Sequence, residues 1–250
     1  MPHLSRPDTE LHYEDTGGSG RPVVLIHGWP LSGEEFAAQV GDLTAAGHRV
    51  VTYDRRGFGR SGKPGRGYDY GTLTDDLAAL IDHLDLDGVV LLGFSMGAGE
   101  VVRYLSTRGT ERVAGAVLAA GITPFLQVTD DNPDGAMGRD GFTGLQHQCR
   151  ADRDGFLDGF LTAFFSTPTG LKVTTDELAE ARRIAGQGED EALVQTIGLW
   201  ADDFRADLAG VDVPLLVIHG DGDQNVPFER SGRRTHELVP RSVLHIIDDG

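Results

Sequence analysis

Gly93-Phe94-Ser95-Met96-Gly97 is the segment of this 250-residue chain whose residue types and spacing point most directly to chemistry. A serine with a glycine two residues to either side can stand on a sharp strand-to-helix turn, its hydroxyl presented as a nucleophile. With 35 glycines in the chain the letters alone are weak, and the setting is what strengthens them. The apolar run Val89-Val90-Leu91-Leu92 leads into the motif and a helical pattern over 98–105 leads out of it. The N-terminus of that helix would place a positive dipole beside the serine oxygen.

A serine nucleophile needs donors for an oxyanion, an acid and a base. His27-Gly28-Trp29-Pro30 follows a predicted central strand, so the backbone N–H of Trp29 and that of Met96, next to the nucleophile, are the expected oxyanion donors. His27 itself reads as a structural histidine that bonds its own loop. The acid is expected after a late strand, in the order serine, acid, histidine. His219-Gly220-Asp221-Gly222-Asp223-Gln224-Asn225 supplies it, with Asp223 favoured as the acid and Asp221 as a turn former. The base is expected just past the last strand, Val243–Ile247, where the sequence reads Asp248-Asp249-Gly250. Of the nine histidines none fits: His236 falls in a predicted helix, His245 in mid-strand and His219 ahead of the acid turn.

Two further patterns imitate ligand sites. Gly57-Phe58-Gly59-Arg60-Ser61-Gly62 matches a dinucleotide G-x-G-x-x-G, but Lys63-Pro64-Gly65-Arg66-Gly67 after it is a loop and not the helix that would hold a pyrophosphate. Asp221-x-Asp223-x-Asn225 opens like a calcium loop, yet its sixth position is Val226 and its twelfth Gly232. No metal and no cofactor is therefore expected.

The elements that must position these residues are short apolar runs alternating with helical patterns. Strands are predicted at 23–26, 49–53, 89–92, 113–119, 213–218 and 243–247, and helices at 34–46, 72–84, 96–107 and 227–238. Unbroken apolar strands of this kind imply a parallel sheet covered on both faces; 10–14 alternates instead and reads as an antiparallel edge strand. From Pro124 to Trp200 the rhythm stops, and Phe142, Phe156, Phe160, Phe164 and Phe165 need a surface to bury against. The expectation is an α/β fold with a core over 1–123 and 201–250, interrupted by a helical cap over 124–200.

Composition narrows the partners. The formal net charge is −17, with Lys63 and Lys172 the only lysines, which disfavours nucleic acid and anionic membrane surfaces. No apolar run approaches a membrane span, and the first residues lack an apolar signal core, so a cytoplasmic protein is expected. Cys149 is the single cysteine, which excludes an internal disulfide. Nothing in the sequence fixes an oligomeric state.

Taken together, these residues resemble the α/β-hydrolase fold and, within it, the cofactor-free haloperoxidases and aryl esterases (non-haem chloroperoxidase-like). The resemblance spans essentially the whole chain. It rests on His27-Gly28-Trp29, Tyr53-Asp54-Arg55-Arg56-Gly57-Phe58-Gly59-Arg60-Ser61, Gly93-Phe94-Ser95-Met96-Gly97, Asp203-Phe204-Arg205 with Asp212-Val213-Pro214, and His219-Gly220-Asp221-Gly222-Asp223. It implies Ser95 as nucleophile, Asp223 as acid and the Trp29 and Met96 amides as oxyanion donors. Serine at position 95 separates the chain from relatives on this fold, such as haloalkane dehalogenases, that use aspartate there. The implied reaction is acyl transfer from a small-molecule ester to Ser95, with release as a carboxylic acid by water or as a peracid by hydrogen peroxide. Trp29, Phe125 and Phe228 are the expected pocket walls.

The competing reading is a hydrolase-fold protein that binds a ligand or partner without catalysis; a nicotinamide oxidoreductase is the third. In the resembled family the histidine sits in a Pro-His just after the last strand, ahead of a closing helix. The expectation is that this segment follows Gly250. The intact mass of the protein made from its native gene should then exceed that of these 250 residues by about 3 kDa; an equal mass would favour the binding role.

Overall fold

The computed structural model describes residues 2–250. Eight strands form one sheet: β1 (His3–Ser5), β2 (Glu10–Asp15), β3 (Pro22–Ile26), β4 (Arg49–Tyr53), β5 (Val89–Phe94), β6 (Val113–Ala119), β7 (Leu215–Gly220) and β8 (Val243–Ile247). Their order is β1-β2-β4-β3-β5-β6-β7-β8. From β4 to β8 all neighbours are parallel, while β2 pairs antiparallel with β4 and with β1. The strand at 10–14, expected at the edge, is thus one position in, because three residues too short to show a pattern pair outside it.

Each central strand is apolar on both sides because both of its faces are covered. In β3, Val24 and Ile26 join the main core, whereas Val23 and Leu25 join a smaller core with Phe36 and Val50. The main core lies under α2 (Tyr70–His83) and α3 (Met96–Arg108), and the smaller one under α1 (Ala37–Ala45). The helix expected over 34–46 opens as a 3₁₀ turn at Gly33–Phe36, started by Ser32 capping the Glu34 amide. Between β6 and β7 the chain builds five helices, α4 (Arg139–Ala151), α5 (Arg153–Phe164), α6 (Thr175–Ala185), α7 (Asp190–Gly198) and α8 (Arg205–Ala209), with two short two-stranded ribbons that the sequence pattern did not show. After β7 come a 3₁₀ turn at Phe228–Arg230 and a helix at Gly232–Leu238, where one helix over 227–238 was expected; the break falls at Ser231, whose hydroxyl donates to the Pro227 carbonyl (2.8 Å). No described helix is long and apolar enough to cross a membrane.

Register aligns the strand ends that matter. Ile26 is opposite both Tyr53 and Gly93, and Phe94 is opposite Ala119, which in turn faces Ile218. The loops after β3, β4, β5 and β7 therefore emerge at one carboxyl edge, the usual place for a site in an open α/β sheet.

The Asp54-to-Ser61 loop is a polar core, not a phosphate cradle. Asp54 takes the amides of Gly33 and Arg60 (2.9 and 2.8 Å), Ser61 bridges the Asp54 carbonyl and the His12 amide, and Arg56 pairs with Asp76. Arg55, 1% exposed, meets the fully buried Glu100 of α3 at 2.5 Å, and the Tyr53 hydroxyl donates to the other Glu100 oxygen. Removing one partner of such a pair strands the other charge without water. Glu100→Ala should cost about 3–5 kcal/mol of unfolding free energy in a urea titration, whereas substitution of the exposed Glu229 should change it by less than about 1 kcal/mol.

Candidate active site

Ser95 connects β5 to α3 with φ 52° and ψ −113°, left-handed backbone that a serine adopts only under constraint. Its amide donates to the Ala119 carbonyl (2.8 Å), and its carbonyl accepts from Ala98 and Ile122 (3.1 and 3.4 Å), so the turn is held from both sides. The motif glycines are required by contact. A Cβ on Gly93 would lie 2.3 Å from the Gly97 carbonyl oxygen, and a Cβ on Gly97 would lie 2.3 Å from that of Ile26. These approaches press α3 against the end of β3 and bring the next loop to Ser95. A Cβ on Gly28 would be 3.4 Å from the Ser95 Cβ and 2.9 Å from the Phe94 ring.

That loop is fixed by hydrogen bonds. The Arg55 amide donates to His27 Nε2 (3.0 Å), so Nδ1 carries the proton and donates to the Gly28 carbonyl (2.8 Å), which also accepts from the Leu31 amide (3.2 Å). Burial, with Arg55 beside it, holds the His27 imidazole well below its ordinary basicity, and it stays neutral. In a trans peptide the C=O and N–H point oppositely, so pinning the Gly28 carbonyl aims the Trp29 N–H the other way. Among the described residues neither the Trp29 nor the Met96 amide donates to any protein group. The structure thus sets two free donors beside a strained serine.

The loop expected to carry the acid follows β7. Asp223 Oδ1 accepts the amides of Asn225 and Val226 (both 2.9 Å), leaving Oδ2 with one contact, His219 Nε2 at 3.4 Å. Asp221 is used differently: its Oδ1 accepts the Asp249 amide (2.7 Å), tying the residues after β8 to the acid turn. His219 faces the Val226 carbonyl (2.8 Å) and the Phe228 ring, and His236 bonds Ser242. Among the described residues no histidine is hydrogen-bonded to Ser95.

The aromatic residues are distributed unevenly. The Trp29 indole is buried, donates to the Leu193 carbonyl (3.1 Å) and packs edge-on against Phe160 and Trp200 (4.7 and 5.0 Å). Phe125 and Phe228 are also buried, but each lies beneath an arginine, Arg205 and Arg233, and neither borders the groove beside α1. That groove, of about 980 Å³, runs between α1 and α6 past Phe94, Ala119, Phe164 and Phe165, adjacent to the elbow but not lined by Ser95 itself. Sequence reasoning had not singled out Phe94, although it lies inside the motif, or Glu35, whose carboxyl Oε1 accepts the Gly28 amide (2.8 Å).

Burial pushes the Glu35 carboxyl up to about 8 from an ordinary 4.5, against the opposing pull of the Gly28 amide and Arg55. The folded state therefore holds a proton there that the unfolded chain releases above pH 4.5. The stabilising contribution is complete below about pH 4.5 and is lost progressively up to pH 8, at about 1.4 kcal/mol per pH unit. Subtracting a Glu35→Gln urea series from the wild type across this range should isolate that slope; parallel curves would remove it.

Comparison with known proteins identifies the family. Residues 21–250 match the family profile described as alpha/beta hydrolase fold. The chain is 38% identical to the non-heme chloroperoxidase CPO-A1 of Kitasatospora aureofaciens over 98% of its length and 89% of the relative's. It is 35% identical to the bifunctional esterase/perhydrolase DCH of Acinetobacter calcoaceticus, over 96% and 88%. The crystal structure of bromoperoxidase from Bacillus anthracis superposes with a TM-score of 0.94 at 44% identity, covering 97% of this chain and 88% of that one. With its strained serine elbow at the carboxyl edge of a mostly parallel sheet, the chain belongs to the alpha/beta hydrolase family, as a serine hydrolase-type enzyme among its non-heme haloperoxidases and esterases.

Proposed function

We propose that the chain hydrolyses small carboxylic esters through an acyl-enzyme on Ser95 and that hydrogen peroxide can take the place of water. The observation that carries this reading is the pairing of Ser95, held at φ 52°, with the unengaged N–H groups of Trp29 and Met96 across a contact that Gly28 makes possible. Ser95 Oγ adds to the ester carbonyl, and the two amides take the charge that develops on oxygen; one such donor is typically worth about 3 kcal/mol in the transition state. Collapse expels the alcohol and leaves the acyl group on Ser95. Water then yields the carboxylic acid, or hydrogen peroxide yields the peracid, and either route restores the serine hydroxyl. A released peracid oxidises halide in solution, giving hypohalous acid and the carboxylate, with no metal or haem in the balance.

The Ser95 proton needs a base between Oγ and Asp223 Oδ2, the carboxylate oxygen that its own loop leaves open. Asp223 is the proposed partner of that base and Asp221 the brace of its loop. We further propose that α4–α7 act as the cap expected over 124–200, with Trp29, Phe160 and Trp200 as the apolar wedge that keeps water from the acyl group. Phe125 and Phe228, expected as further walls, are assigned no substrate contact here, since each is stacked against an arginine. The non-catalytic reading is not favoured, because relatives spanning nearly the whole chain include an esterase/perhydrolase.

With the protein made from its native gene, Ser95→Ala should lower p-nitrophenyl acetate hydrolysis by at least about 10³-fold and stop peracid formation to the same extent. Undiminished turnover would overturn the nucleophile. Loss of one product without the other would overturn the shared acyl-enzyme.

A further inference from the structure

Glu35 stands on the 3₁₀ turn Gly33–Phe36, at the border of the large groove. Its two carboxyl oxygens are in unequal situations. Oε1 accepts the Gly28 amide at 2.8 Å, whereas Oε2 is buried and has no partner among the described residues. A glutamate in the first turn after a serine cap ordinarily points to solvent and serves the helix dipole, as its neighbour Glu34 does by pairing with Arg183 and Arg60. Glu35 instead turns back to the loop that precedes it.

The consequence lies in the two peptide planes that meet at Gly28. The plane after it is fixed by its carbonyl, held by His27 Nδ1 and Leu31 N. The plane before it is held through its N–H by the Glu35 carboxyl, its carbonyl, that of His27, having no hydrogen-bond partner from a turn, loop or side chain among the described residues. Glycine has no Cβ to restrict its own torsions, so with either plane released the Trp29 N–H is free to swing.

We propose that Glu35 is a positioning residue of the oxyanion hole, its carboxyl gripping the Gly28 amide so that the Trp29 N–H stays aimed at Ser95. The inference rests on the Trp29 amide being an oxyanion donor, as proposed above. The neutral carboxyl suits the task, since an anion at this site would lie next to the developing oxyanion. Arg55 acts on it from the loop after β4, and Glu14 of β2, Glu34 of its own turn, and Glu177 and Glu180 of α6 line the same groove. Of these only Arg55 opposes protonation by charge, so ionisation of Glu35 adds a negative group to an already acidic surround.

The test follows the Gly28 and Trp29 backbone amides by NMR in the ¹⁵N-labelled full chain, as wild type, Glu35→Gln and Glu35→Ala, together with kcat and KM for p-nitrophenyl acetate. In the wild type the Gly28 amide resonance should titrate with a midpoint near the Glu35 value of about 8. In Glu35→Gln, whose amide carbonyl still accepts, the titration should vanish while hydrogen exchange of Gly28 stays within about threefold. Glu35→Ala should exchange at least about tenfold faster and lose about 10- to 100-fold in kcat with KM within about twofold, and the glutamine variant should recover most of that loss. Identical Gly28 signals and kcat in all three proteins would overturn the proposal, as would a glutamine variant that fails together with alanine while both melt cooperatively near the wild type. Absence of hydrolysis by the wild type itself would count against the proposed function, whereas the amide signals would still decide whether Glu35 holds the loop.

Discussion

The contact between Gly97 and the Ile26 carbonyl sets the distance on which the rest of the site depends. A single added methyl there would stand 2.3 Å from the oxygen, so any side chain at 97 would push α3 away from β3. Because Ser95 directly precedes α3 and Gly28 follows β3 by two residues, the same displacement would part the serine from the Gly28-Trp29 loop. The left-handed φ of Ser95 belongs to this economy of space: the chain must reverse from strand to helix within one residue because its neighbours leave no room for a wider turn. Strain at a functional residue persists only where surrounding bonds over-determine it, and the Ala119, Ala98 and Ile122 hydrogen bonds do so.

Beneath that contact lies a group of charges in a place that would ordinarily be apolar. Arg55 reaches from the loop after β4 to Glu100 on α3, and its own amide supports His27 in the loop after β3. Two elements that carry parts of the proposed site are thus joined through one residue of a third. Buried ion pairs are weak evidence for stability, since hydrophobic replacements often serve as well, but they are demanding about geometry. Here the geometry they demand is that of the Gly28-Trp29 loop relative to the helix that follows Ser95.

The helices inserted between β6 and β7 bring aromatic rings to the same edge. Trp29 supplies backbone to the site and an indole to the insertion, where it meets Phe160 and Trp200. Packing of the insertion and placement of the proposed oxyanion donor are therefore mechanically coupled through one side chain. The groove beside α1 exists because Val90, Leu92 and Phe94 on the outer face of β5 are only half covered, in contrast to the fully buried Val89 and Leu91 on the other face.

The sequence by itself determined the central sheet, its helices and the elbow, since these are written in short-range terms. β-branched runs bounded by turns, apolar residues at helical spacing and glycines two residues from a serine all report forces that act within a few positions along the chain. The Asp-Gly-Asp segment was legible as a turn for the same reason, although the carboxyl that caps it, bonding amides two and three residues on, is that of Asp223, whereas Asp221, expected as the turn former, reaches the Asp249 amide. Boundaries slipped where a local hydrogen bond ended an otherwise helical pattern, as at Ser231. What only the tertiary structure decided was which buried groups meet. Phe125 and Phe228 read as pocket walls because their burial is predictable, but the arginines stacked on them come from far along the chain or from the next turn. Glu35 reads as a helix-start carboxylate, and its grip on Gly28 depends on the 3₁₀ turn folding back over the loop. Periodicity tells a side chain that it will be out of water; only the folded chain, with its cores packed and its loops brought to one edge, determines what it will find there.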